Sequence, residues 1–140
     1  MIVVREATPG DRAYVLSTWV ESEEAHTPWQ PDRDLAFAAL RGKAYALLAR
    51  SRVVIAAPED DAITVLAWLA VDRERGQLVH YAYTRRTLRR QGLQSDLLRA
   101  AHIEGRPTIT TTRPRRMEML RAIFAPQVGW MLAVASKEAA

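Results

Sequence analysis

The chain has 140 residues, 49% of them hydrophobic and 26% charged, with a net charge of +4 and no cysteine. That length supports one ordinary hydrophobic core, so a single domain over residues 1–140 is expected. The missing cysteines exclude disulfides and thiolate-held metals, and the longest apolar run, Val65–Val71, falls far short of the ~20 residues that span a bilayer.

No membrane partner and a cytoplasmic location are therefore expected, and Glu6 follows the first residues too closely for a secretion signal. The charge is unevenly spread. Met1–Thr84 holds nine Lys/Arg against twelve Asp/Glu, a net of −3, whereas Arg85–Arg121 holds ten arginines against three acids, a net of +7. Local positive charge of this kind suits a polyphosphate ligand or a nucleic-acid backbone.

In chain order, Ile2–Arg5 reads as a first strand, and Thr8-Pro9-Gly10-Asp11 reads as a break with a capping residue for the helix that follows. That helix carries Tyr14, Val15, Trp19 and Val20 at helical spacing and ends among Glu21, Glu23 and Glu24. Ala25–Pro31 contains two prolines and is irregular. Asp32 or Asp34 caps a second helix, whose apolar face runs from Leu35 to Leu48 and which Gly42 weakens. Val53–Ala57 and Ile63–Val71 form an antiparallel hairpin across the Pro58–Ala62 turn, and Gln77–Thr84 follows as the next strand.

Next comes the basic stretch Arg85–Gln91, then Gly92 and a third helix with Leu93, Leu97, Leu98 and Ala101 on its apolar face. Thr108–Thr111 reads as a fifth strand, and Pro114 opens a fourth helix with Met117, Leu120, Ile123 and Phe124 inward. Gly129–Ala135 reads as a last strand. The expected order is β-α-α-β-β-β-α-β-α-β. This is an α+β (mixed α/β) domain with a mostly antiparallel sheet of six or so strands and four helices.

A strand that delivers a glycine-bearing basic turn to a helix N-terminus sets free N–H groups and the helix dipole toward an anion. Here that turn reads Arg89-Arg90-Gln91-Gly92-Leu93-Gln94. With this element order, it resembles the GNAT superfamily of acyl-CoA-dependent N-acetyltransferases, whose signature is Gln/Arg-x-x-Gly-x-Gly/Ala between the fourth strand and the next helix. The resemblance implies that acetyl-CoA is the co-substrate. Arg89, Arg90, Gln91, Gly92, Leu93, Gln94 and Ser95 would cradle its pyrophosphate, and the backbone of Tyr83 and Thr84 would serve its pantetheine arm. It also implies a small-molecule or peptide amine as acceptor and requires no metal.

Three departures stand beside it. Gln94 occupies the place of a small residue and is expected to swing out, to donate its amide to phosphate, or to block the site. Phe124 is the nearest counterpart of the family's fourth-helix tyrosine, and the C-terminus has room for one strand after that helix. These motivate an alternative reading, a catalytically inactive GNAT-fold protein that is a structural or interaction component of a larger assembly, such as a viral one.

Two residues are candidate bases. His80 lies mid-strand and is expected on the face of Leu78, Ala82 and Thr84, where it could relay a proton through water. Glu24, at the end of the first helix beside His26, could attract and deprotonate a cationic amine. Each has a plainer reading, as a core histidine and as a solvated helix end. Trp29 could wall the acceptor pocket, and Arg115 and Arg116 could meet a ribose phosphate. No aromatic residues are interleaved with the basic turn, which disfavours nucleic acid as the partner.

Overall fold

The alternation of apolar residues along the strands determines what lies on each side of the sheet. In the computed structural model, which describes residues 1–25, 32–61 and 63–103 and the backbone of 109–110 and 123–124, six strands form one sheet in the order β1 to β6. They are β1 (Ile2–Glu6), β2 (Ser51–Pro58), β3 (Ala67–Asp72), β4 (Leu78–Thr84), β5 (Ile109–Thr110) and β6 (Ile123–Phe124). The helices are α1 (Arg12–Ala25), α2 (Arg33–Ala49) and α3 (Leu93–Ala100). Strands β1 to β4 pair antiparallel, while β4–β5 and β5–β6 pair parallel. A parallel neighbour requires a crossover, and α3 lies in the first one. This is the mixed α+β architecture expected.

On β2, Val53, Ile55 and Ala57 pack with Val15, Trp19, Ala44 and Leu47 of α1 and α2, whereas Val54 and Ala56 pack with Leu93, Leu97 and Leu98 of α3. The period of two thus places α1 and α2 on one face and α3 on the other. Trp19 and Trp68 are fully buried in the first core, joined by Tyr81 with ring centroids 5.5 and 5.6 Å away. No described helix is long and apolar enough to cross a membrane.

The helix boundaries follow from their caps. Asp11 ends the first turn: its carboxylate accepts from the Thr8 N–H (2.7 Å) and takes both Arg5 guanidinium nitrogens (2.7 and 3.0 Å). Asp32 caps α2 by accepting from the Leu35 N–H at 2.9 Å. Gly42 does not divide α2, which runs unbroken because its buried face, Leu40 to Leu48, is held against the sheet.

Two sequence expectations change. The fourth helix was expected to carry Ile123 and Phe124, but these residues form β6, so their pairing with β5 outweighs their helical spacing. Phe124 therefore does not stand on a helix as a counterpart of the family tyrosine. The rest of that helix, and the strand expected at Gly129–Ala135, lie outside the described residues. The third strand begins at Ala67 rather than Ile63, since Asp61 folds the preceding residues into a turn by accepting from the Ile63 and Thr64 amides.

Candidate functional site

The basic turn begins where β4 ends. After Thr84 the chain makes a single 3-10 turn, Arg86–Leu88, and then reverses through two residues in the left-handed region, Arg90 at φ 69° and Gly92 at φ 76°. Gly92 stands at the N-cap of α3, and the first helical amide to find a partner in the helix is that of Asp96, which donates to Gly92 O at 3.1 Å. The earlier amides of such a helix start have no helical carbonyl to bond. A side chain at Gly92 would meet nothing within 4 Å. Glycine is thus favoured there by its positive φ rather than by crowding. Arg86, Arg89, Arg90 and Gln91 are exposed around it.

Arg85 is committed elsewhere. Its Nε donates to Val65 O at 2.7 Å, and its guanidinium lies 5.7 Å from the Tyr14 ring centroid. Leu93 is buried against the α3-side core, which fixes the helix at its first residue. Ser95 is half-buried in that first turn.

Of the three courses expected for it, Gln94 takes the one that leaves the cradle clear, though it turns inward rather than to solvent. Its side chain is 2% exposed and turned beneath the turn, where Nε2 donates to Tyr83 O (2.8 Å), Thr84 Oγ1 (3.1 Å) and Trp68 O (3.3 Å). Its Oε1 is buried with no hydrogen-bond partner. The cradle is therefore clear of the long side chain, and the residues present fit an anionic diphosphate.

The backbone of β4 divides by parity. Arg85 N–H donates to Leu66 O at 3.0 Å, so two residues along the antiparallel ladder Trp68 and Tyr83 again face each other with their hydrogen-bonding groups. The main-chain groups of Tyr83 thus point to β3 and are occupied, contrary to the expectation that they are free for a ligand. Those of Ala82 and Thr84 point to the opposite side. There β5 pairs with β4 at Leu78 and Val79 and, among the described residues, no farther. The Thr84 carbonyl accepts from Arg89 Nε at 3.4 Å.

The Tyr83 side chain stacks on Trp68 and meets the Tyr14 ring edge-on at 6.4 Å. Burial, aided by the hydrogen bond and charge of Tyr14, pushes its phenol above the ordinary value. Tyr14 was read as an apolar helix position. Its role beside Tyr83 depends on how α1 crosses β4, and sequence spacing carries no signal of that.

His80 is fully buried, with Nε2 held 2.9 Å from Asp72 Oδ1. The alternation expected along β4 fails here. The register shifts at Ala70/Val71, which skips His80 in the ladder, so Val79 and Ala82, three residues apart, both pack on the α3 side. Asp72 also receives Arg50 Nε at 2.6 Å and the Arg75 N–H at 3.1 Å. Burial depresses the His80 pKa and the Asp72 contact only partly offsets this. Burial raises Asp72, but the hydrogen bonds and charges of Arg50 and His80 prevail and hold its carboxyl below the usual range. His80 thus belongs to a buried ion network and is not presented to a substrate.

Glu24 is accessible, with its side chain 34% exposed and an ion pair to Arg33 at 3.4 Å. Glu23, by contrast, is a buried tie between helices, accepting from Lys43 Nζ at 2.6 Å and Trp19 Nε1 at 3.2 Å. His26, Trp29, Arg115 and Arg116 lie outside the described residues. The structure thus brings Thr84, Arg89–Ser95 and the Tyr83 ring to one end of β4.

No protein-family model matches the sequence, and no curated protein matches it. Solved structures do. A candidate acetyl transferase from Pyrococcus furiosus superposes with a TM-score of 0.61 at 12% identity, covering 94% of this chain and 89% of that one. A GCN5-related N-acetyltransferase from Rhodopseudomonas palustris gives 0.51 at 15% identity, covering 71% of this chain, which spans 62% of that protein's length. A transcriptional regulator from Bacillus halodurans gives 0.50 at 14% identity over 86% and 87% of the two chains. The chain has the fold of the GCN5-related N-acetyltransferases, the GNAT superfamily.

Proposed function

We propose that the protein is an N-acetyltransferase that moves the acetyl group of acetyl-CoA directly to an amine. The observation that carries this reading is the turn from Arg89 to Ser95. Two left-handed residues lead into a helix start there, beside three exposed arginines and the end of β4, where among the described residues β5 pairs only with Leu78 and Val79. A fold shared with a transcriptional regulator does not by itself establish chemistry, so the turn and not the fold bears the weight.

The turn amides and Arg86, Arg89 and Arg90 hold the diphosphate by charge-assisted hydrogen bonds. Thr84's main chain holds the arm in an extended path along β4. The acceptor nitrogen then attacks the thioester carbonyl carbon, the C–S bond breaks, and the thiolate leaves as the amine proton passes to a base. Glu24 is the accessible carboxylate proposed for that role, and His80 has a structural one. Alignment of amine and thioester supplies much of the rate. With no cysteine in the chain, a cysteine acyl-enzyme is excluded, which favours direct transfer. The acceptor is a small-molecule or peptide amine.

Calorimetric titration with acetyl-CoA tests this. Saturable binding with a thermal shift, and acetylation of a panel amine, are expected. Silence at millimolar acetyl-CoA, with a stoichiometric protein partner in a pull-down, supports the non-catalytic reading instead.

A further inference from the structure

We infer that Gln94 is a positioning residue that fixes the phosphate cradle relative to β4, so that one ligand engages both at once. This rests on the acetyl-CoA reading above. Gln94 belongs to the cradle by its backbone and to the strand ends by its side chain. One amide group bonds Tyr83 O, Thr84 Oγ1 and Trp68 O, joining the first turn of α3 to β3 and to the end of β4. The direction of the amide is set by chemistry, since two of its neighbours are carbonyl oxygens and only the NH2 end can face them.

Packing alone does not explain the amide. Oε1 is buried without a partner, a cost that an apolar side chain of the same length avoids. Tyr83 and Trp68 already form a hydrogen-bonded pair of the β3–β4 ladder, each carbonyl facing the other's N–H, so these carbonyls do not need the extra donor either. The amide's distinctive effect is geometric: it ties Thr84, whose main chain points away from β3, to the helix start ten residues later. A ligand with a diphosphate at one end and an extended amide arm at the other gains from both sites only while their separation is held, as in any two-point attachment.

The experiment uses the full chain with Gln94→Met, which keeps the side-chain length and removes both the donors and the orphaned acceptor. Gln94→Ala is the second variant. Three probes are titrated: acetyl-CoA, its nucleotide diphosphate half, and S-acetylpantetheine. For Gln94→Met we expect unchanged melting and unchanged affinity for each half, with acetyl-CoA weakened about tenfold or more as the linkage advantage is lost. Gln94→Ala should repeat that split even if its melting temperature falls. Equal affinity of Gln94→Met and wild type for acetyl-CoA overturns the inference and leaves the acetyltransferase reading intact. A matching loss for the two halves and the whole also overturns it, since that marks a collapsed site. If the wild type binds neither acetyl-CoA nor its nucleotide half, the acetyltransferase reading falls and takes this inference with it.

Discussion

Replacing His80 by glutamine should change how stability responds to acid. In the wild type the imidazole is fully buried against Asp72, with Arg50 and Lys43 also acting on it, and its folded pKa lies below the free value of 6.5. The unfolded chain therefore binds a proton near pH 6.5 that the folded chain refuses. Stability is complete above that pH and is lost as pH falls toward the folded pKa. One proton gives a slope of up to about 1.4 kcal/mol per pH unit. Between pH 6.5 and 5.5 the wild type should thus lose at most about 1 kcal/mol, or about 3 °C in melting temperature for a domain of this size. His80→Gln keeps an N–H donor for Asp72 but cannot titrate. It should start about 1–3 kcal/mol lower at pH 8 and stay level over the same interval. Urea unfolding at pH 8, 7, 6 and 5.5 measures both curves, and every other titrating group is common to them. If the two proteins show parallel slopes, or a folded-state His80 resonance titrates at 6.5, the reasoning is refuted.

Asp11 should govern a separate, more acidic limb. The Arg5 hydrogen bonds lower its pKa from 3.8 to about 2 against the opposing effect of burial, which Thr8 helps overcome. Its depressed carboxyl contributes about 2 kcal/mol above pH 4, lost as pH falls toward 2, and Asp11→Asn should remove that dependence in the same unfolding assay. Gly92→Val places a β-branched residue at φ 76° and should cost about 1–2 kcal/mol, while weakening acetyl-CoA at least tenfold by calorimetry. A valine variant that binds as well as wild type would mean the cradle is elsewhere. Glu24→Gln should lower kcat/KM about a hundredfold without moving the melting temperature, because its exposed Arg33 pair is worth little. Unaltered turnover would remove Glu24 from the reaction.

The parts of this fold that local pattern controls were legible in the sequence. A continuous apolar run marked β2, Leu93, Leu97 and Leu98 marked α3, and Gly92 marked the turn, because in each case neighbours along the chain determine the outcome. What escaped depends on partners far away. The face of His80 followed from a period of two that one bulged residue interrupts. Asp72 is an acidic residue at the end of an apolar strand, and it is buried because Arg50, 22 residues earlier, reaches it. Gln94 could be seen to be too long for its place, but the direction of its side chain depends on carbonyls of β3 and β4 that no helix pattern reveals. Ile123 and Phe124 suit a helix by spacing and become a strand through β5.

The core also contains its own spectroscopic reporter. The indoles of Trp19 and Trp68 stand 5.6 Å apart and tilted by 40°, close enough for their excited states to mix. The folded protein should therefore show a split exciton band in circular dichroism that vanishes when the helix α1 separates from the sheet. Because Trp68 also stacks on Tyr83 and its carbonyl accepts from Gln94, the same band reports on events at the end of β4. Loss of packing on the α1 face can thus be followed optically, with no label attached.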